Sequence, residues 1–100
     1  MKSITYNLID ELTDEAYIDV LRIIPSLKIE GIKDDDLIFY PLNLDAIREE
    51  KRFIITANKN AYKYLEDLDY TIEKVLEAHN ISVFKVETTL NEKWYYESGY

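Results

Sequence analysis

The sequence predicts an α+β fold, a small single domain spanning residues 1–100, with about three amphipathic helices, short β elements and a C-terminal β-hairpin. Three observations carry this. Apolar residues make up 47% of 100 residues, with two glycines and two prolines, which is enough for one packed core and too little chain for two. Apolar residues at helical spacing follow capping residues at several points. Runs rich in β-branched and aromatic residues stand before, between and after those segments.

Near the N-terminus Ile4, Tyr6 and Leu8 alternate with polar residues, a pattern that fits a strand over 3–9 better than an extension of the helix behind it. That helix starts at Thr13, a cap whose hydroxyl can hold a free backbone N–H, with Asp14 and Glu15 in the first turn where the helix dipole favours acids. Pro25 is expected to end it at about Ile24. Leu12, Ala16, Tyr17, Val20, Leu21, Ile23 and Ile24 fall on its inner face, and Glu11, Asp14, Glu15 and Asp19 lie opposite with Arg22 and Ile18 among them. Residues 27–32 alternate like a strand, Asp34-Asp35-Asp36 reads as an acidic turn, and Leu37–Tyr40 is a second strand stopped by Pro41, so a hairpin is expected here.

Asn43 is the next cap. On one helical wheel drawn from Leu44 to Leu68, Ile47, Phe53, Ile54, Ala57, Ala61, Tyr64, Leu65 and Leu68 share a face, while Arg48, Arg52, Lys59 and Lys63, with Lys51 at the edge, form a basic stripe. The polar trio Asn58-Lys59-Asn60 is where such a helix would break in two. Asp69 caps a further helix that ends at His79-Asn80, asparagine being suited to a left-handed C-terminal residue. Ile81–Leu90 is then a strand, Asn91–Lys93 a turn, and Trp94-Tyr95-Tyr96 the returning strand. Tyr6–Leu12 and Tyr62–Leu68 resemble each other weakly, as two amphipathic segments would by chance.

The formal charge is −8, and it is segregated. Residues 1–46 carry four basic and ten acidic side chains, net −6; residues 47–64 five and two, net +3; residues 65–100 three and eight, net −5. Such a balance opposes binding to a nucleic-acid backbone or an anionic membrane and favours a basic partner. The basic stripe reads either as a second contact site or as a set of partners for the chain's own acids, and the net charge selects the second.

Chemistry is hard to build from these residues. There is no cysteine and one histidine, His79, so thiolate sites and paired-histidine sites are excluded. With two glycines no phosphate loop or dinucleotide fingerprint can form. Ser3, Ser26, Ser82 and Ser98 stand in no nucleophile elbow, and the Asp34–Asp36 run lacks the spacing of a calcium loop. The chain therefore reads as no enzyme, with no metal and no cofactor. Its N-terminus lacks the unbroken apolar run of a signal peptide or membrane span, which reads as cytoplasmic.

What remains is surface. Nine tyrosines and one tryptophan in 100 residues exceed ordinary usage, and both types concentrate at interfaces because they bury a rigid area and keep a polar tip. The expected partner-binding residues are Glu11, Asp14, Glu15, Ile18 and Asp19 on the first helix, and Trp94, Tyr95, Tyr96 and Tyr100 on the terminal hairpin. Small size, acidity, tyrosine content and the absence of cysteine give a profile similar in physical character to nuclease immunity proteins and to phage-encoded antagonists of host defence, including anti-CRISPR proteins. The similarity covers no alignable stretch. It implies a stoichiometric inhibitor of a basic protein, a nuclease or other nucleic-acid-binding enzyme, acting in the cytoplasm of the host cell, without direct nucleic-acid or membrane contact. A homodimer stays open, as does the alternative of a homo-oligomeric structural or regulatory ligand-binding domain.

Overall fold

Alternation at the N-terminus is realised as strand β1, Lys2–Leu8, which buries Ile4 and Tyr6 and turns Ser3, Thr5 and Asn7 the other way. The computed structural model describes residues 1–28, 31–33 and 35–89. After β1 come α1 (Asp14–Lys28), β2 (Leu37–Tyr40), α2 (Leu44–Glu50), β3 (Arg52–Ala57), a single 3₁₀ turn (Lys59–Ala61), α3 (Tyr62–Ala78) and β4 (Val83–Thr89). The strands form one sheet in the order β2-β3-β1-β4, each antiparallel to its neighbour. Each of the crossovers through α1 and α3 skips one strand, giving the split β-α-β, ferredoxin-like connectivity with the short α2 inserted between β2 and β3.

One face of the sheet makes the core. Ile4, Tyr6, Phe39, Leu37, Phe53, Ile55 and Ala57 meet Leu12, Ala16 and Val20 of the α1 region, Ile47 of α2, and Leu65, Leu68, Ile72 and Leu76 of α3. At its centre the Phe53 ring stacks between Tyr6, with centroids 4.7 Å apart, and Phe39, at 5.2 Å. Each fully buried side chain of this size contributes about 1.5–3 kcal/mol of transfer free energy.

Several sequence expectations are met locally. The Ala16 N–H donates to Thr13 Oγ1 at 3.2 Å, Asn43 Oδ1 accepts from the Asp45 and Ala46 N–H groups, and Asn80 adopts the left-handed conformation with φ 56°.

Others are corrected. Helix α1 runs through Pro25 to Lys28, so Leu27 and Lys28 are helical, and β2 pairs with β3 instead of with a strand at 27–32. An exposed proline removes one helical donor, and the packed face of α1 keeps the turn in place despite it. The helix expected over 44–68 is a helix, a strand and a second helix. Lys51 closes α2 in the left-handed conformation, φ 58°, and the run Ile54-Ile55-Thr56, β-branched throughout, then takes the extended form such residues favour. A helical wheel puts Phe53, Ile54 and Ala57 together. The strand instead places Phe53, Ile55 and Ala57 in the core and Ile54 on the opposite face. Asp69 caps nothing, because α3 already begins at Tyr62. The first strand of the C-terminal hairpin exists as β4 and pairs with β1; its expected return at Trp94–Tyr96 lies outside the described residues.

Candidate interaction surfaces

The outward side of α1 holds the predicted acids. Arg48 of α2 reaches across to it: its Nη2 donates to Asp14 Oδ1 at 2.9 Å, its Nε lies 3.2 Å from Glu11 Oε1 and also donates to the Leu12 carbonyl. The arginine thus fixes two carboxylates while leaving them open to solvent, with Glu11 and Asp14 side chains 74% and 77% exposed. Further along, Asp19 meets Arg22 one turn on and His79 at the end of α3, whose Nε2 is 2.9 Å from Asp19 Oδ2. Ile18 stands among these acids and is 47% exposed. Glu15 is exposed.

The basic stripe does not exist as a stripe, because its members sit on different elements. Arg48 serves the α1 acids and Arg52 lies 3.8 Å from Glu50. Lys63 stacks over the Tyr64 ring.

A second surface was missed by the sequence reading. The face of the sheet away from the helices carries Ile38 and Tyr40 of β2, Arg52, Ile54 and Thr56 of β3, Ser3, Thr5 and Asn7 of β1, and Phe84, Val86 and Thr88 of β4, as the register requires. Tyr40 is 56% and Phe84 65% exposed, and Ile38 and Val86 are exposed as well. A signal for it was present: Leu37–Tyr40 and Phe53–Ile55 are apolar on consecutive residues, the mark of strands with both faces apolar. The predicted aromatic anchors Trp94, Tyr95, Tyr96 and Tyr100 lie outside the described residues.

Polar side chains inside the fold serve architecture. The buried Tyr6 hydroxyl donates to Asp69 Oδ1 at 2.6 Å, and Lys85, opposite Tyr6 on β4, donates to Asp69 Oδ2 at 2.8 Å and pairs with Glu73. Burial, reinforced by the hydrogen bond to Asp69, pushes the Tyr6 hydroxyl pKa well above its usual value; burial works against the Lys85 ammonium, but its bonds to Asp69 and Glu73 win and hold its pKa above the ordinary 10.5. This set ties α3 to the β1–β4 half of the sheet. Asp36 performs the same task at the other edge, accepting from Asn58 Nδ2 at 2.8 Å, Asn60 Nδ2 at 3.3 Å and the Lys33 N–H at 3.1 Å. The Asn58 amide first, and then the Lys33 N–H, hold its carboxyl below the ordinary 3.8.

Among the described residues no group of three or more histidines and carboxylates is placed to hold a metal ion, and no helix is long and apolar enough to cross a membrane. A cleft of about 260 Å³ lies between the end of β1, Arg48 and Lys51, and one of about 430 Å³ between Lys2, Tyr62, Glu66, Asp69 and Glu87. No protein-family model matches the chain, and no curated protein or solved structure is significantly similar to it.

Proposed function

We propose that this chain is a stoichiometric inhibitor of a basic, nucleic-acid-handling protein, and that it engages that partner through the outward surface of α1. The observation that carries this reading is the arrangement around Ile18: an exposed aliphatic side chain bordered by Asp14, Glu15 and Asp19, with Glu11 and Asp14 already oriented by Arg48. Carboxylates held in place before binding lose less freedom on association, and opposite charges speed encounter. An apolar centre within a charged rim is the composition of a protein contact. A chain of net charge −8 presents carboxylates where a nucleic acid would present phosphates. Displacement of nucleic acid from such a partner follows from that mimicry.

The test compares wild type with the triple variant Asp14→Asn, Glu15→Gln, Asp19→Asn. Wild type captures a basic nucleic-acid-handling protein from host lysate and abolishes the purified partner's activity at one equivalent. Charge pairs desolvated in a complex matter by several kcal/mol when one member is lost, so the triple variant binds at least ~100-fold more weakly and with a flatter salt dependence. Equal affinity in the triple variant contradicts the reading.

A further inference from the structure

The open face of the sheet has a composition that a solvated face does not need. On β4 the usual pattern is inverted: Lys85 and Glu87 point to the helical side, whereas Phe84 and Val86 point away from it. On β2 the outward residues Ile38 and Tyr40 are as apolar as the inward Leu37 and Phe39. One row across all four strands reads Tyr40, Ile54, Thr5, Val86.

Several polar groups on this face are occupied within the sheet. Ser3 Oγ and Thr56 Oγ1 are 2.9 Å apart, Asn7 Nδ2 donates to the Phe84 carbonyl at 3.2 Å, and Arg52 lies 3.8 Å from Glu50. Polar groups already bonded can be covered at small expense, while unbonded ones cannot. Covering these groups therefore costs little.

Charge decides what covers it. Among the described residues this face holds no carboxylate, on a chain of net charge −8. A basic protein would gain nothing from a face without a carboxylate, and a polyanion would find there only Arg52, which already lies 3.8 Å from Glu50. The complementary surface is neutral, apolar and bordered by few charges, and another copy of the same face is such a surface. We infer that the open face packs against its own copy, across a two-fold axis, as two sheets stacked face to face. The inference does not depend on the proposed inhibitory role, and it leaves the α1 surface of each copy outward.

Four strands about 4.8 Å apart, rising about 3.3 Å per residue, make a patch of roughly 19 by 20 Å. That is about 380 Å² per copy, below the roughly 800 Å² per partner of a standard interface, so the association is weak and reversible. The like charges lie outside the contact, so salt strengthens it, the reverse of its effect on an opposite-charge complex.

Sedimentation equilibrium of the full chain tests this. Wild type shows a monomer–dimer equilibrium that tightens several-fold between about 50 and about 500 mM salt. Phe84→Glu and Tyr40→Glu each place two carboxylates in the contact and weaken it at least ~10-fold, whereas Tyr70→Glu, on the exposed side of α3, leaves it unchanged. Circular dichroism confirms that each variant is folded; both sites are exposed in the single chain, and the salt response of wild type is read without any variant. A wild-type chain that stays monomeric at about 0.5 mM in high salt overturns the inference, whichever foreign protein or other segment of this chain covers the face. So does a dimer indifferent to both glutamates.

Discussion

The two faces of the sheet are made by the same strands, residue by residue in alternation, yet they differ in what their apolar side chains do. Phe53 is wholly buried between two aromatic rings. Ile54, the next residue, lies on the outer face beside Tyr40 and Thr5. The inner face is closed by three helices within one chain, and the outer face is closed by none of them. Apolar content alone therefore does not locate a core. What separates the faces is which one the crossover helices reach, and in a split β-α-β fold both crossovers lie on one side.

The sharpest way to break this comparison is to truncate one aromatic on each face. Phe53→Ala opens a cavity in a close-packed region and lowers stability by about 3–5 kcal/mol, read as the midpoint shift in urea unfolding at low protein concentration. Phe84→Ala, under the same dilute conditions, changes stability by no more than about 0.5 kcal/mol. Comparable losses at both sites would mean that the outer face is covered within the single chain.

A smaller effect comes from the polar tie at the edge of the inner face. Asp69→Ala removes the acceptor for Tyr6 and one partner of Lys85 and costs about 1–3 kcal/mol. Tyr6→Phe in the Asp69→Ala background adds little further, because the hydroxyl has already lost its partner; full additivity of the two losses would show that they are not coupled.

The smallest effect lies at the far edge and depends on pH. The Asp36 carboxyl is held below its unfolded value of 3.8, so at acid pH the unfolded chain binds more protons than the folded one and stability rises with pH there. Its contribution is present above 3.8 and is lost as pH falls through the lower folded value. Asp36→Asn flattens the acid limb of stability against pH and leaves the slope near neutrality unchanged. An acid limb identical to wild type would remove Asp36 from this role.

Local chemistry in the sequence located most of the elements: alternation for β1, a threonine cap for α1, Asn43 for α2, Asn80 for the end of α3, and β-branched residues for β4. It failed where two periods coincide. Phe53, Ile54 and Ala57 fit one helical face at 100° per residue, and Phe53, Ile55 and Ala57 fit one strand face at 180°; only pairing with Tyr6 and Phe39 on neighbouring strands selects the second. The α1 acids were legible because solvated charge on an amphipathic helix needs no knowledge of the fold. The partners that orient them were not, since Arg48 and His79 arrive from 34 and 60 residues away. The outer sheet face was hidden for the same reason: Tyr40 and Phe84 share it only because β2 and β4 lie in one sheet.

The central claim is that one face of this sheet makes the fold and the other makes a contact between copies. Hydroxyl-radical footprinting reads it directly, residue by residue, on the unmodified chain at about 10 and about 500 μM in high salt. Tyr40 and Phe84 are predicted to lose reactivity as concentration rises, while Tyr70 on the outer side of α3 keeps its own and the buried Phe53 stays unreactive throughout. Reactivity at Tyr40 and Phe84 that does not change with concentration, or protection that appears at Tyr70 instead, would contradict it.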